Sequence, residues 1–133
     1  MIIFFDTNTC IYFLKGLYPK LVKKIQKCDP SQIKIPSIVK AELMLGALKS
    51  KQREKNLQIV EGFLVPFEIV PFDDSAAEKY AHIRAGLELS GNIIGPNDLI
   101  IASTVLSRNG KLITNNIKEF ARIPNLKLDT WIS

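Results

Sequence analysis

Short apolar runs, rich in β-branched and aromatic residues, alternate along the chain with longer stretches of helical periodicity. The first run, Ile2–Phe5, ends at Asp6, and its lack of polar positions is typical of a strand covered on both faces in a parallel sheet. Four similar runs follow it. The predicted strands are Ile2–Phe5, Ile33–Ile35, Phe67–Val70, Lys111–Thr114 and Leu126–Leu128.

The stretches between these strands have apolar residues at helical spacing and carry recognisable start signals. Ser37 is placed to cap the helix that contains Glu42, and Asp73 or Asp74 is placed to cap a long helix. Pro96 suits the first position of an apolar helix because its missing N–H is not needed there. The predicted helices are Thr7–Leu14, Pro19–Ile25, Ile38–Leu48, Gln52–Leu64, Asp74–Leu89 and Pro96–Leu106, with a turn at Asn109–Gly110.

Helices that alternate with short apolar strands predict an α/β fold. We expect an open, mostly parallel sheet of four to five strands with helices on both faces. The chain has 133 residues, of which 47% are hydrophobic, and this suits one compact domain over residues 1–133 with its own core. The sequence shows no internal repeat, linker or low-complexity segment.

Membrane insertion and disulfide bonding are not expected. No stretch approaches the roughly 20 consecutive apolar residues of a membrane-spanning helix. The apolar start is interrupted by Asp6, which argues against a signal peptide. The two cysteines, Cys10 and Cys28, lack Cys-x-x-Cys spacing, so we expect reduced thiols with structural roles in a cytoplasmic protein.

The net charge of +5 suits a protein that meets a polyanion, although charge alone does not establish nucleic-acid binding. Basic residues concentrate in two segments. For any one of them, a solvated helix face explains the charge as well as contact with a phosphate does. The two groups are Lys15, Lys20, Lys23, Lys24 and Lys27, and Lys49, Lys51, Arg53 and Lys55.

Three acids stand where chemistry is possible, and each also has a simpler explanation. Asp6 follows the first strand, where open parallel sheets bind ligands, but it is equally placed to cap the next helix. Glu42 lies in an apolar helix whose neighbours we predict to be largely buried, where an unpaired carboxylate is costly; the alternative is a solvent-facing side chain beside Lys49. Asp98 is in a first helical turn, which favours acids without any function. Convergence of all three would indicate a divalent cation.

Four blocks of the sequence resemble the PIN-domain nucleases, and more narrowly the VapC-type toxins of type II toxin–antitoxin systems. They cover residues 5–10 (FDTNTC), 36–43 (PSIVKAEL), 94–102 (IGPNDLIIA) and 114–120 (TNNIKEF). The resemblance extends over nearly the whole chain, and the order and spacing of the blocks are highly specific together. It implies a single PIN domain.

The resemblance implies a metal-dependent endoribonuclease. Asp6 and Asp98 would bind Mg²⁺ or Mn²⁺, with Glu42 binding directly or through water. The ion would polarise a phosphoryl oxygen and lower the pKa of a bound water, with Asp98 or Glu119 accepting the proton. The single histidine, His82, is not needed and is expected to be structural.

Polar residues around these acids would have supporting roles by the same resemblance. Thr7 and Asn8 would organise the first loop, while Thr114 and Asn116 would hydrogen-bond a metal-bound water. In the fuller family pattern a fourth acid occupies the position of Asn116, so this chain departs from it. Glu119 is the residue that would take its place, and with three firm carboxylates one bound ion is expected rather than two.

The resemblance also implies partners. These are an RNA substrate, either transfer RNA or another structured RNA, whose cleavage would inhibit translation, and a second copy of the chain in a homodimer. A small VapB-like antitoxin would place its C-terminal segment in a groove beside the site, with a basic side chain near the carboxylates, and larger assemblies are possible. Apolar residues that suit such a groove, although each is also expected in the core, are Phe13, Leu14, Leu43, Leu45 and Leu48.

Two alternatives remain open from the sequence. A phosphatase of the haloacid dehalogenase class would use Asp6 as nucleophile, but it needs a second Asp two residues later, where this chain has Asn8. A catalytically silent RNA-binding PIN module would have lost activity through Asn116. Retention of the other three acids argues against the silent module.

Overall fold

The computed structural model describes residues 1–132 and contains a five-stranded sheet flanked by helices. None of the helices within this range is long and apolar enough to cross a membrane. A short 3₁₀ helix spans Pro30–Gln32. The strands are β1 (Ile3–Phe5), β2 (Ile33–Pro36), β3 (Glu68–Val70), β4 (Lys111–Ile113) and β5 (Lys127–Asp129), and the helices are α1 (Thr7–Leu14), α2 (Pro19–Lys27), α3 (Ser37–Lys49), α4 (Arg53–Leu64), α5 (Asp74–Ser90), α6 (Pro96–Ser107) and α7 (Ile117–Phe120).

The sheet has the order β3–β2–β1–β4–β5, and every pair of neighbouring strands is parallel. β1 is central, with Ile3 aligned to Ile33 of β2 on one side and to Lys111 of β4 on the other. All three residues of β1 are buried, so both faces of the sheet are covered there. The predicted α/β fold, with a parallel sheet of four to five strands, is confirmed.

The order of the strands creates a switch point at the middle of the sheet. From β1 the chain moves to β2 and β3 on one side, and it later continues at β4 and β5 on the other side. At such a point the connections that follow the two adjacent strands diverge and leave a crevice beyond their carboxyl ends. Asp6 follows β1 and Thr114 follows β4, so both residues lie at this crevice.

The core is built from the sheet and from helices that pack in pairs. α5 packs along α6 and α3 packs along α4, while α3 and α6 also contact the strands. This arrangement places the apolar positions of α6 inside the molecule and explains why its sequence is apolar on nearly every side. The largest fully buried side chains include Phe4, Phe5, Phe120, Leu21, Ile35, Ile101, Leu112 and Ile113.

Most element boundaries fall within two residues of those predicted, but one cap was assigned wrongly. Asp73 caps α5 by accepting a hydrogen bond from the N–H of Ala76, and Pro96 begins α6, as predicted. Ser37 is not the cap of α3. Pro36 remains extended and pairs in register with Val70 of β3, so the change to helical backbone comes after it and Ser37 is the first helical residue.

Two short elements were not predicted. The 3₁₀ helix has 3 residues and α7 has 4, which is too short for apolar periodicity to show in the sequence. α7 matters for the site because it carries Glu119 and begins directly after Asn116.

The turn before β4 depends on close approach to β1. Asn109 has a φ of 57°, a left-handed conformation that asparagine tolerates better than most residues. At the next position a Cβ on Gly110 would lie 2.5 Å from the Phe4 ring, so only glycine fits between the turn and β1. The predicted Asn109–Gly110 turn is therefore confirmed.

Several residues expected to be structural are at the surface. Leu45 and Leu48 are exposed, by 56% and 39%, so the expectation that they belong to the core is wrong, although Leu43 is buried. His82 is also exposed and does not belong to the core. Cys10 is buried and Cys28 is half-buried; both are free thiols, as predicted.

Candidate active site

Asp6 is held at the end of β1 by hydrogen bonds to both of its carboxylate oxygens. It caps α1, with Oδ1 accepting from the N–H of Thr9 at 2.9 Å. The hydroxyl of Thr114 donates to Oδ2. Thr9 in turn donates its hydroxyl to the carbonyl of Ile113, at 3.0 Å, which joins α1 to the end of β4. Capping and site formation are therefore compatible roles of Asp6.

Burial raises the pKa of Asp6 above its ordinary value. The hydrogen bonds from Thr114 and Thr9 oppose this rise, whereas repulsion from Glu42 adds to it. The carboxylate is 5% exposed and its hydrogen-bond donors are neutral groups. A cation near Asp6 would therefore stabilise its charged form further.

Glu42 lies in the first half of α3, and both of its oxygens are also occupied. Oε1 accepts from the hydroxyl of Thr7 at 2.6 Å, and Oε2 accepts from the side-chain amide of Asn97 at 3.3 Å. The prediction that nearly every neighbour is buried or half-buried holds for Leu43, Met44 and Ala47. It is wrong for Ala41, Leu45 and Gly46, which are exposed, and Glu42 itself is half-buried. Hydrogen bonds from Thr7 on α1 and Asn97 on α6 therefore define the position of the Glu42 side chain, rather than burial.

Asp98 lies in the first turn of α6, half-buried and facing other carboxyl groups. Its pKa is raised to about 6, first by burial and then by repulsion from Glu119, Asp6 and Glu42. Each of the causes acting on Asp98 raises its pKa. The carboxyl groups of four separate elements therefore lie close enough to interact electrostatically.

Glu119, on α7, is bonded to groups that connect it to α6. Its Oε1 accepts from the backbone N–H of Gly95 at 3.1 Å, and its Oε2 accepts from the amide of Asn116 at 3.0 Å. The Asn116 and Gly95 hydrogen bonds hold the pKa of Glu119 below its ordinary value. Glu119 therefore stays charged and adds to the repulsion on Asp98.

The predicted supporting residues lie around these acids, with one exception. Thr114 bonds Asp6 and also accepts from the N–H of Asn116 at 2.9 Å, which fixes the start of α7. Thr7 bonds Glu42, but it belongs to α1 and not to a loop, because the helix begins directly after Asp6. Asn8 is exposed, and no hydrogen bond of its side chain is seen in residues 1–132.

The donor chemistry of this cluster fits a hard divalent cation. Its acids offer oxygen ligands, which Mg²⁺ and Mn²⁺ prefer. The ion pairs found within residues 1–132 involve Lys34, Arg84 and Arg108, and none of them includes the clustered acids. Within the same range, no three His, Cys, Asp or Glu side chains form a ready cage for an ion. A bound metal would therefore bring these carboxylates closer together than they lie without it.

Two residues that hydrogen-bond the clustered acids were not predicted from the sequence. Thr9 supplies the N–H that Asp6 accepts, and its spacing three residues after a candidate cap was a usable signal. Asn97 bonds Glu42 across 55 positions of sequence. No local pattern could indicate that contact, because it depends on how α3 and α6 meet.

Comparison with known proteins agrees with the fold. The family model of the PIN domain matches residues 3–126, and the chain belongs to this family. Within it, the chain is similar to ribonuclease VapC2 of Rickettsia felis, at 42% identity over 98% of both proteins. It is also similar to a tRNA(fMet)-specific endonuclease VapC of Salmonella typhimurium, at 40% identity over 95% of both. The crystal structure of Rickettsia felis VapBC2, bound to a DNA fragment from its promoter, aligns with a TM-score of 0.91 at 41% identity, covering 98% of this chain and 99% of the other.

Proposed function

We propose that this chain is a Mg²⁺- or Mn²⁺-dependent endoribonuclease, the toxin of a type II toxin–antitoxin pair. It cleaves transfer RNA or another structured RNA in the cytoplasm and so inhibits translation. The observation that carries the proposal is the gathering of Asp6, Glu42, Asp98 and Glu119 at the carboxyl edge of the sheet, where they repel one another. Similarity to VapC ribonucleases over 95–98% of the chain supports the reaction type.

Asp6, Asp98 and Glu42 are the residues that would hold the metal ion, Glu42 directly or through water. Such an ion, when bound, supplies Lewis-acid polarisation of a phosphoryl oxygen and acidification of a water. Thr9 and Thr114 keep Asp6 oriented, because the N–H of Thr9 and the hydroxyl of Thr114 both donate hydrogen bonds to its carboxylate.

Asp98 is the better candidate to accept a proton during the reaction. Both oxygens of Glu119 already accept hydrogen bonds from Gly95 and Asn116, so Glu119 is the less free of the two carboxylates to take up a proton. We therefore assign Glu119 to positioning and to electrostatics. This assignment differs from the expectation that Glu119 takes the place of the fourth acid.

A groove beside Glu42 suits the antitoxin. It lies between α1, α3 and α4, has a volume of about 470 Å³ and is lined mostly by apolar side chains. Glu42 and Lys15 are both part of its lining. A basic side chain on an apolar peptide segment bound in the groove would therefore lie within reach of the carboxylates. The lining includes Ile11, Leu14, Leu43, Ile59 and Val60.

We further propose a homodimer, in which two such toxins carry two antitoxin segments.

Cleavage of a transfer-RNA pool by the purified chain, free of antitoxin, tests the proposal. Reactions contain Mg²⁺ or Mn²⁺, with EDTA and the Asp98→Asn variant run in parallel to exclude contaminating ribonuclease. We expect discrete products that require both the metal and Asp98. Intact RNA in every reaction, for this pool and for total cellular RNA, would contradict the proposal.

The same preparation separates the two alternatives. Hydrolysis of a small phosphomonoester, lost in Asp6→Asn, would favour the phosphatase; the exposed Asn8 at the position of its required second acid argues against it. RNA binding without cleavage would favour the silent module. Retention of Asp6, Glu42 and Asp98, whose carboxyl groups lie close enough to repel one another, argues against that module.

A further inference from the structure

Most of the segment that leads into α6 is exposed. α5 ends at Ser90 and is capped by Gly91, which adopts a left-handed φ of 75°, and four residues then connect Gly91 to Pro96. Among these four, Ile94 is buried, whereas the others are exposed, and the side chain of Ile93 is 67% exposed. The connection continues directly into the first turn of α6, which carries the Asp98 carboxyl group.

Two side chains near the C-terminal end of the chain hold this connection from outside. The guanidinium of Arg122 donates from Nη1 to the carbonyl of Ile93 at 2.9 Å. Glu119 accepts from the N–H of Gly95 at 3.1 Å, so the two bonds lie on either side of the buried Ile94. Both bonds involve a charged group and a backbone group, the class of hydrogen bond that is stronger than a neutral pair.

We propose that Arg122 is a positioning residue for this nuclease: by bonding the Ile93 carbonyl, it fixes the start of α6 and therefore the Asp98 carboxyl group. The inference rests on the proposed function, since it assigns Arg122 to the same acidic site. Arg122 also lies close enough to Glu119 to favour its charged form. It thus acts on the site through two neighbours and touches neither Asp6 nor Glu42.

Direct contact with RNA is the competing role for this arginine. Arg122 lines a cleft of about 500 Å³ together with Lys79, His82 and Asn125. A polyanion in that cleft would meet Lys79 as well as Arg122, and each charge would contribute to RNA affinity. Lys79→Gln is therefore a matched control. It removes a positive charge from the same cleft, and Lys79 makes no hydrogen bond to the connection before α6.

The test compares Arg122→Gln, Arg122→Lys and Lys79→Gln with the wild type. Two quantities are measured: kcat and KM for RNA cleavage at several salt concentrations, and the dissociation constant for Mn²⁺ without RNA, from the electron paramagnetic resonance signal of the free ion. We expect Arg122→Gln to lower kcat about tenfold and to weaken Mn²⁺ binding several-fold, with KM within about twofold of wild type. Arg122→Lys should recover most of both losses, since its ammonium can donate to the same carbonyl.

Lys79→Gln should leave kcat and Mn²⁺ affinity unchanged. The proposal is overturned if Arg122→Gln raises KM and reduces the salt dependence of cleavage while kcat and Mn²⁺ binding stay unaltered, because Arg122 would then be an RNA contact. Loss of the fold in both Arg122 variants would also overturn it, because the side chain would then support the whole domain. If the wild type binds Mn²⁺ but cleaves no RNA, the proposed function fails, while the Mn²⁺ affinities still decide the role of Arg122.

Discussion

The strand-end region of the site, formed by Asp6, Thr9 and Thr114, differs from the helix-start region that carries Asp98. In the strand-end region, neutral donors from α1 and from the end of β4 satisfy both oxygens of Asp6 and offset part of the cost of its burial. In the helix-start region, each influence on Asp98 raises its pKa, to about 6. The fold therefore stabilises the Asp6 carboxylate with its own hydrogen bonds, whereas the Asp98 carboxylate is subject to repulsion that a cation would relieve.

The largest expected effect is loss of cleavage in Asp98→Asn. The amide keeps the shape of the side chain but removes a charged ligand and the assigned proton acceptor. We expect kcat to fall by more than about a hundredfold, since changes at groups that only support metal ligands already cost 10- to 100-fold. Single-turnover cleavage of RNA measures this, and Asp74→Asn, at the exposed start of α5, is a suitable control. Activity within tenfold of wild type would remove Asp98 from the site.

Thr114→Val tests the strand-end region. The variant leaves Asp6 with a buried oxygen that lacks its hydroxyl donor, which costs about 1–3 kcal/mol of unfolding free energy. We expect activity to fall about tenfold to a hundredfold because Thr114 orients a metal ligand. Thr104→Val is the matched control: Thr104 is also buried, but its hydroxyl bonds a carbonyl within α6. Equal losses of activity in the two variants would show that Thr114 has no special role.

Glu119→Gln and Glu119→Ala separate positioning from metal binding in the helix-start region. Gln keeps an oxygen that can accept from the N–H of Gly95, whereas Ala does not. We expect kcat within about threefold of wild type for Gln and about a tenfold loss for Ala, the effect of one charged hydrogen bond. A Gln variant as inactive as Asp98→Asn would indicate that the Glu119 carboxylate is itself a metal ligand.

The smallest expected effect is a pH-dependent difference in stability between Asp98→Asn and the wild type, both without metal. The pKa of Asp98 is about 6 in the folded protein and 3.8 as an ordinary value, so the folded state binds more protons between these pH values. Wild-type stability therefore falls as pH rises through this window, and Asp98→Asn avoids the loss. We expect the variant to gain about 1 kcal/mol between pH 4 and pH 7, after allowance for screening at a half-exposed site. Urea unfolding in EDTA measures the difference, and a difference that does not change with pH would contradict the raised pKa of Asp98.

The fold was largely predictable because it depends on patterns that are local in the sequence. Apolar runs located all five strands, and Pro96 and Asp73 marked helix starts. The cap of α3 was missed because Pro36 pairs with Val70, a contact between strands far apart in the chain. α7 was missed because four residues carry no periodicity.

The acidic residues of the proposed site could be predicted from the sequence, but the hydrogen bonds that hold them in place could not. The acids Asp6, Glu42 and Asp98 came from a family resemblance, and their roles remain a proposal. The bonds of Asn97 to Glu42 and of Arg122 to Ile93 join elements 55 and 29 positions apart. Such contacts depend on packing geometry, which the sequence pattern of either element does not contain.

A bound cation should relieve the burial cost and the repulsion that raise the pKa of Asp98, and thermal unfolding with and without Mn²⁺ tests this most directly. Without metal at pH 7.5, Asp98→Asn should unfold at a higher temperature than the wild type. Saturating Mn²⁺ should reverse this order, because an ion at a hundred times its dissociation constant stabilises the intact site by about 2.7 kcal/mol and the variant by much less. Glu78→Gln, an exposed change on α5, should behave as the wild type does. Equal Mn²⁺-induced shifts in the wild type and in Asp98→Asn would contradict the account.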